Sequence, residues 1–316
     1  MLTHGNLAAD AYASCRNVFL EGASLLVLPL HHAFGLVAGV YCEMMYGCTV
    51  CINRSLKSLD RDLLKYRPSH LFIVPLMAEQ FRRKILGADL RSSASAGVRE
   101  AFGGNLNLLV SGGAAIDDGL VRWFSALGIK LLNGYGITEC GPVVAVNRNE
   151  QVVPGSVGLP LECNAVRILD GEILVKGDNV MSGYYRMPEE TEAAFTDGWF
   201  RTGDLGRIDR SGALHITGRI KNLIILKNGE NIPAESLEAK LAAIPGVAEV
   251  LVFARNDVIA AEIYPDPAGA DTARIRERLA RVNAGLPQNM NVTDVIFRDA
   301  PFPKTSTKKI IRDRRI

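Results

Sequence analysis

The chain has 316 residues, of which 48% are hydrophobic and 22% charged, and its formal net charge is +2. This composition is that of an ordinary globular protein of about two domains, and so small a charge gives no indication of a nucleic-acid partner. The N-terminus lacks the basic start and apolar run of a signal peptide, and no apolar stretch is long enough to span a membrane. We therefore expect a cytoplasmic protein.

Up to about residue 132, short apolar runs alternate with helical patterns. The predicted strands are Leu25–Leu30, Thr49–Ile52, Leu71–Val74, Leu106–Val110 and Ile129–Leu132. The predicted helices are Gly35–Tyr46, Leu56–Tyr66, Pro75–Leu86 and Asp117–Leu127, the last with Asp117 as its N-cap. Strands that alternate with helices predict an α/β fold with a largely parallel sheet.

The pattern changes after residue 142. Residues 143 to 217 carry short strands and turns, which predict a β-rich subdomain. From about residue 219 an α+β pattern follows, with a helix opening at Ile232-Pro233, strands near Val247–Phe253 and Val258–Ile263, and a helix over Asp271–Gly285.

The six cysteines are scattered and do not form the framework of a secreted disulfide protein. Cys48 and Cys51 form a CxxC, but it lies in a β-branched run, and residues three apart on a strand face opposite sides. With no second pair in the sequence, we do not expect a zinc site here.

The segment Asn133–Pro142 follows the predicted strand that ends at Leu132. Its glycines allow a ligand to approach the backbone, Tyr135 can stack on a base, and Glu139 beside a hydroxyl can hold Mg²⁺. A tight turn with an exposed glutamate is the alternative.

Three later segments have comparable chemistry. Asp204 lies in a turn between apolar residues, where its oxygens can accept both hydroxyls of a ribose. Gly218–Asn222 and Lys227–Pro233 form a basic, glycine-containing hairpin, and Pro303–Arg312 places lysines on a polar loop that can reach a phosphate. Taken singly, each also fits a surface turn, a solvated linker or a basic tail.

Together and in this order, the four segments resemble the adenylate-forming (AMP-binding) enzymes, which include acyl-CoA synthetases, firefly luciferase and adenylation domains of peptide synthetases. The resemblance implies an adenylation domain over residues 1–218 and a small mobile α+β domain over residues 219–316. The first of these domains is expected to be incomplete. The family's phosphate loop, rich in serine, threonine and glycine and ending in lysine and glycine, should precede Leu2 and does not occur in the sequence.

The resemblance also implies roles for individual residues. Tyr135 and Gly136 would lie beside adenine, Thr138 near the phosphates and Glu139 on Mg²⁺. Asp204 would bind the ribose hydroxyls, assisted by Arg219. The remaining nucleotide-binding residues would be Gly112, Gly113, Ala114, Asn133 and Gly134.

Five further positions match functional positions of the family. Lys309 would complete the adenylation site, and Lys221 would be the hinge between the domains. Gly229 and Glu230 would line the path of the thiol. His32 would line the carboxylate pocket, although a histidine satisfied within the core is the alternative.

The implied reaction converts a carboxylate and ATP to an acyl-adenylate and pyrophosphate, after which a thiol, usually that of coenzyme A, takes the acyl group. In adenylation domains of peptide synthetases, an aspartate in the pocket segment usually binds the amino group of the substrate. The corresponding segment of this chain lacks that aspartate, so the resemblance implies an apolar fatty acid as the substrate. Three alternatives stay open: transfer to the pantetheine of an acyl carrier protein, a catalytically incompetent fragment that binds adenine nucleotides, and peripheral contact with a membrane.

Overall fold

In a computed structural model of the protein, residues 1–87, 96–114, 116–226, 231–304 and 310–312 are described. The chain divides into two compact units. The first comprises Met1–Thr202 and Gly206–Ile216, and the second comprises Gly203–Leu205 and Thr217–Ile316.

A seven-stranded sheet forms the centre of the first unit. Its strands are β1 (Ala23–Leu26), β2 (Thr49–Ile52), β3 (His70–Ile73), β4 (Leu108–Ser111), β5 (Lys130–Gly136), β6 (Val143–Val146) and β7 (Leu159–Pro160). Their order is β2-β1-β3-β4-β5-β6-β7. Strands β1 to β5 pair in parallel, whereas β6 pairs antiparallel with both β5 and β7. The predicted α/β fold with a largely parallel sheet is confirmed.

Helices cover both faces of this sheet. They are α1 (His4–Asn17), α2 (Ala33–Leu36), α3 (Glu43–Tyr46), α4 (Leu59–Tyr66), α5 (Pro75–Gly87), α6 (Ala96–Ala101) and α7 (Asp118–Ala126), and a π-helical segment, Val37–Cys42, joins α2 to α3. Every residue of β4 is buried, as expected for a parallel strand covered on both faces. Leu109 packs into one hydrophobic cluster and Val110 into another, because successive side chains point to opposite faces.

A second sheet follows in the chain, where short strands were predicted. It contains β8 (Asn164–Leu169), β9 (Glu172–Gly177), β10 (Phe195–Thr196), β11 (Trp199–Ile208) and β12 (Leu214–Arg219), with helix α8 (Pro188–Ala193) between β9 and β10. Phe200, Ile173 and Leu214 form part of its buried core.

The second unit has its own hydrophobic core. Its elements are β13 (Leu223–Ile225), β14 (Asn231–Pro233), α9 (Ala234–Ala242), β15 (Val247–Arg255), β16 (Val258–Pro265), α10 (Thr272–Ala284) and β17 (Val292–Phe297). The prediction that a helix opens at Ile232-Pro233 is wrong by two residues. Both residues end strand β14, and the helix starts at Ala234.

Within the described residues, no helix has both the length and the apolar character needed to cross a membrane.

Candidate functional site

The carboxyl ends of the parallel strands bring several of the predicted site residues to one edge of the first sheet. Strand β4 leads into Gly112–Ala114, β5 carries Asn133–Gly136, and β1 leads toward His32. Ser111 pairs in register with Asn133, so the ends of β4 and β5 are neighbours. In open α/β sheets, ligands bind in the crevice outside the carboxyl ends of the strands.

The loop after β4 shows why small residues are needed there. Gly112 donates its N–H to the carbonyl of Ile73 at 3.2 Å. A Cβ at Gly112 would lie 3.1 Å from the ring of Phe34, so this ring packs directly against the loop backbone. Gly113 has a φ of +85° and open space where a Cβ would stand. The segment after β1 and the loop after β4 are therefore in contact.

The segment Asn133–Gly136 is held against β6. A Cβ at Gly136 would lie 1.8 Å from the carbonyl oxygen of Pro142, so only glycine fits. Tyr135 is half-buried, whereas Gly136 and Thr138 are exposed.

Two polar atoms are buried where the parallel pairing of β4 with β5 ends. Among the described residues, Ser111 Oγ and Asn133 Oδ1 have no hydrogen-bond partner. Unsatisfied buried polar atoms are costly in a folded protein, and a bound ligand or water is one way to satisfy them.

Glu139 is fixed by a residue that the sequence analysis missed. Glu139 lies in a short 3₁₀ turn, Thr138–Cys140, and its Oε1 accepts a hydrogen bond from the hydroxyl of Tyr184 at 3.0 Å. Its carbonyl accepts the N–H of Met181 at 2.7 Å. Burial, and then the bond to Glu139, raise the pKa of Tyr184 to about 12, so the phenol keeps its proton and remains a donor at neutral pH. No local spacing signalled this contact, since 45 residues separate the two side chains.

These surroundings suit Mg²⁺. Glu139 is half-buried. Its Oε1 is oriented by the hydrogen bond from Tyr184, and Oε2 is the second oxygen of the carboxylate. Mg²⁺ in nucleotide sites is usually bound by one or two carboxylates together with phosphates and water. Glu139 would hold the ion, which would neutralise charge on the phosphates when bound.

His32 is the N-cap of helix α2 and is half-buried. Its ring centroid lies 4.4 Å from that of His31. Within the described part of the chain, its buried Nε2 has no hydrogen-bond partner. The alternative of a histidine satisfied within the core is therefore disfavoured, because that nitrogen is left to accept from, or donate to, a ligand.

In the second unit, the predicted ribose-binding residues form an ion pair. Arg219 Nε lies 2.5 Å from Asp204 Oδ1, and Nη2 donates to Oδ2 at 3.4 Å. Asp204 lies within strand β11 and not in the turn predicted for it, and its side chain is only 3% exposed.

The other predicted positions in this unit are less informative. Lys221 is exposed in a 3₁₀ turn, Ile220–Asn222. Gly229, Glu230 and Lys309 lie outside the described residues, so their predicted roles remain predictions.

The sheet switches from parallel to antiparallel pairing at β5, and its carboxyl edge carries a glycine loop and a carboxylate. This arrangement is that of an α/β protein with a ligand crevice at the carboxyl ends of its strands. The family model described as AMP-binding enzyme matches residues 1–185. The chain belongs to this family, and the resemblance inferred from the four segments is confirmed.

The chain is also similar to individual proteins and to a solved structure. The chain is 41% identical over 172 residues to the long-chain-fatty-acid–CoA ligase FadD15 of Mycobacterium bovis, a match that covers 54% of this chain and 29% of that protein. It is 31% identical to a feruloyl-CoA synthase of Amycolatopsis, covering 99% of this chain and 65% of the relative. The solved structure of o-succinylbenzoate CoA synthetase from Bacillus subtilis in complex with its acyl-adenylate intermediate superimposes with a TM-score of 0.83 at 26% identity, covering 99% of this chain and 65% of that chain. The chain thus spans less than two thirds of the length of each.

Proposed function

We propose that this chain takes part in the ATP-dependent activation of a carboxylic acid to an acyl-adenylate and in the transfer of the acyl group to the thiol of coenzyme A. The observation that carries the proposal is the meeting, at one sheet edge, of the loop Gly112–Ala114 with the segment Tyr135–Glu139. This edge presents three groups that a nucleotide could contact: the backbone of the glycine loop, the aromatic ring of Tyr135 and the oriented carboxylate of Glu139.

In the first half-reaction, a carboxylate oxygen attacks the α-phosphorus of ATP, and the bond to the leaving pyrophosphate breaks. Tyr135 and Gly136 would bind adenine, Asp204 with Arg219 would bind the ribose hydroxyls, and Thr138 and Glu139 would face the phosphates. Lys309 would stabilise the charge that develops on them. In the second half-reaction, the thiol attacks the acyl carbon and AMP leaves.

A neutral acyl group fits the surroundings of His32. The neighbouring Leu28 and Phe34 are partly buried against a hydrophobic cluster, and Phe34 meets Phe72 edge to face at 6.0 Å between ring centroids. Within the segment Leu28 to Gly35, the polar side chains are those of the exposed His31 and the half-buried His32, and the other side chains are apolar. A fatty acid is the substrate that we propose, and the names of the curated ligases support this class.

An assay of the second half-reaction, the transfer of the acyl group from a preformed acyl-adenylate, is the clearest test of the proposed function. The family's phosphate loop, which does not occur in this sequence, serves the β- and γ-phosphates. An acyl-adenylate has neither phosphate, so its binding depends on the residues described above. We therefore expect the chain to form oleoyl-CoA from synthetic oleoyl-adenylate and coenzyme A above the uncatalysed rate, as measured by mass spectrometry.

The possible results separate the alternatives. Binding of a non-hydrolysable acyl-adenylate analogue without thioester formation would indicate a nucleotide-binding protein that is not a ligase. Faster transfer to the pantetheine of an acyl carrier protein than to coenzyme A would favour the carrier as acceptor. Absence of both binding and transfer would contradict the proposal.

A further inference from the structure

A cluster of three metal-binding side chains lies at the opposite edge of the first sheet. Glu43 begins helix α3, Cys48 directly precedes strand β2, and His70 begins strand β3. Their donor atoms, a carboxylate oxygen, Sγ and an imidazole nitrogen, all lie within 4.8 Å of one another. His70 is at the amino end of its strand, whereas the candidate nucleotide site is at the carboxyl ends, about 10 Å away along a four-residue strand. The cluster is therefore separate from that site.

The contacts of His70 are compatible with a cation between His70 and Glu43. Nε2 of His70 lies 2.8 Å and 2.9 Å from the two carboxylate oxygens of Glu43. Nδ1 lies 3.1 Å from Ser69 Oγ, which is within hydrogen-bond distance of the backbone carbonyls of Glu21 and Ala23. When the Ser69 hydroxyl donates to one of these carbonyls, its oxygen can accept a proton from Nδ1, which leaves a lone pair on Nε2. In this tautomer a cation between Nε2 and the Glu43 carboxylate would be stabilising, whereas in the other tautomer Nε2–H donates to Glu43.

Burial makes that cation important. The side chain of His70 is 2% exposed and that of Glu43 is 0% exposed, so water does not screen the carboxylate. An uncompensated buried charge is strongly destabilising.

We propose that Glu43, Cys48 and His70 bind one Zn²⁺. Zinc accepts nitrogen, oxygen and sulfur ligands, and one thiolate with one carboxylate would neutralise its charge in this buried position. The bond from His70 Nδ1 to Ser69 is the outer-shell contact that fixes a metal-binding histidine in the required tautomer. Zinc bonds of about 2.0 to 2.3 Å place tetrahedral ligands roughly 3 to 4 Å apart, so the donors need to shift by only about 1 Å.

The ion would have a structural role. It would link the start of helix α3 and the entry to β2 with the start of β3, which lies more than 20 residues further along the chain. Cys51, the other cysteine of the CxxC, packs into the hydrophobic cluster on the other face of the sheet and does not take part.

The test uses the whole chain, stripped of metal with a chelator and then dialysed against Zn²⁺. We expect about one zinc per chain by elemental mass spectrometry, and a rise in melting temperature on adding zinc. Cys48→Ala should lower zinc occupancy at least tenfold and abolish the rise, whereas the matched control Cys51→Ala should retain both. Circular dichroism establishes that each variant is folded.

A second measurement needs no variant. Zinc should protect Cys48, but not Cys51, from alkylation by iodoacetamide, as mapped by peptide mass spectrometry, and Co²⁺ in place of zinc should give a thiolate charge-transfer band. The proposal would be overturned if the wild-type chain failed to bind stoichiometric zinc, or if Cys48→Ala bound as much zinc as the wild type. His70 and Glu43 would then form a hydrogen bond without a metal ion.

Discussion

At the scale of single residues, Glu139 and Tyr184 illustrate how this chain orients a functional group. A carboxylate in a three-residue turn has little to fix its rotamer locally. The phenol of Tyr184 supplies that restraint, and burial keeps the phenol protonated. Glu139 is proposed as a site residue from its sequence neighbours, but its contact with Tyr184 could not be predicted, because only the folded protein brings the two side chains together.

We expect Glu139→Gln to remove the effect of Mg²⁺ on ATP binding. In the wild-type chain, Mg²⁺ should tighten ATP binding about tenfold, or ~1.4 kcal/mol, by calorimetric titration. The amide has no charge with which to bind the ion, so the variant should bind ATP equally with and without it. Glu150→Gln, at an exposed position, is the control and should behave as wild type. An undiminished Mg²⁺ effect in Glu139→Gln would refute the assigned role.

Asp10 is a second residue whose importance the sequence did not reveal. It is fully buried in helix α1, and its Oδ2 accepts hydrogen bonds from the Val143 N–H at 2.9 Å and from Asn179 Nδ2 at 3.1 Å. Burial raises the pKa of Asp10 to about 7, although both hydrogen bonds act in the opposite direction. The folded protein therefore binds a proton here that the unfolded chain has lost above its ordinary pKa of 3.8.

This shift predicts a pH dependence of stability. Because folding raises the pKa of this carboxyl, the free energy of unfolding falls as the pH rises from about 4 to about 7. Above that window the full loss is on the order of 4 kcal/mol. Asp10→Asn keeps an acceptor oxygen and cannot ionise. Its free energy of unfolding relative to wild type should therefore increase between pH 4 and pH 8 in urea titrations. The exposed Asp178→Asn should show no such trend. A constant difference for Asp10→Asn over this range would contradict the account.

At the scale of elements, the order and type of the strands and helices in the first unit followed from hydrophobic patterning, while their ends did not. Strand β1 stops at Leu26, not Leu30, because the chain turns at Pro29, whose carbonyl accepts the N–H of His32. The next helix begins at Ala33, two residues earlier than predicted, and its middle is π-helical. Such endings depend on turns and tertiary contacts, which periodicity does not encode.

The N-cap of α7 is an element end that could be predicted. Asp117 accepts the N–H of Leu120 at 3.0 Å. Asp117→Ala should lower the free energy of unfolding by about 1 kcal/mol, because a helix N–H loses its acceptor. Asp117→Asn retains an acceptor and should cost much less, and chemical denaturation measures both. Equal losses would show that charge or packing, not capping, is what Asp117 contributes.

At the scale of the whole molecule, the two units have separate hydrophobic cores. Phe124 is buried in the first and Leu237 in the second. The α/β class could be derived from the alternation of predicted strands and helices, and the family from four short segments that occur in a fixed order. The division into units at Gly203–Leu205 and Thr217 depends on which side chains pack together, and sequence patterning gave only an approximate border.

Separate cores predict separate unfolding. Calorimetry of the whole chain should show two transitions, with Phe124→Ala lowering one and Leu237→Ala the other, each by about 2 to 5 kcal/mol. A single transition that both variants lower equally would show that the two units unfold together.

The most direct test of the central claim is calorimetric titration with a non-hydrolysable acyl-sulfamoyl adenosine. If the edge formed by β4 and β5 binds adenine, the wild-type chain should bind this analogue, and Tyr135→Ala should weaken binding by about 1 to 3 kcal/mol, roughly 5- to 150-fold. Tyr135→Phe, which keeps the ring, and Tyr185→Ala, at a position that is 66% exposed, should bind as wild type does. A wild-type chain that does not bind the analogue, or a Tyr135→Ala variant that binds it equally well, would contradict the account.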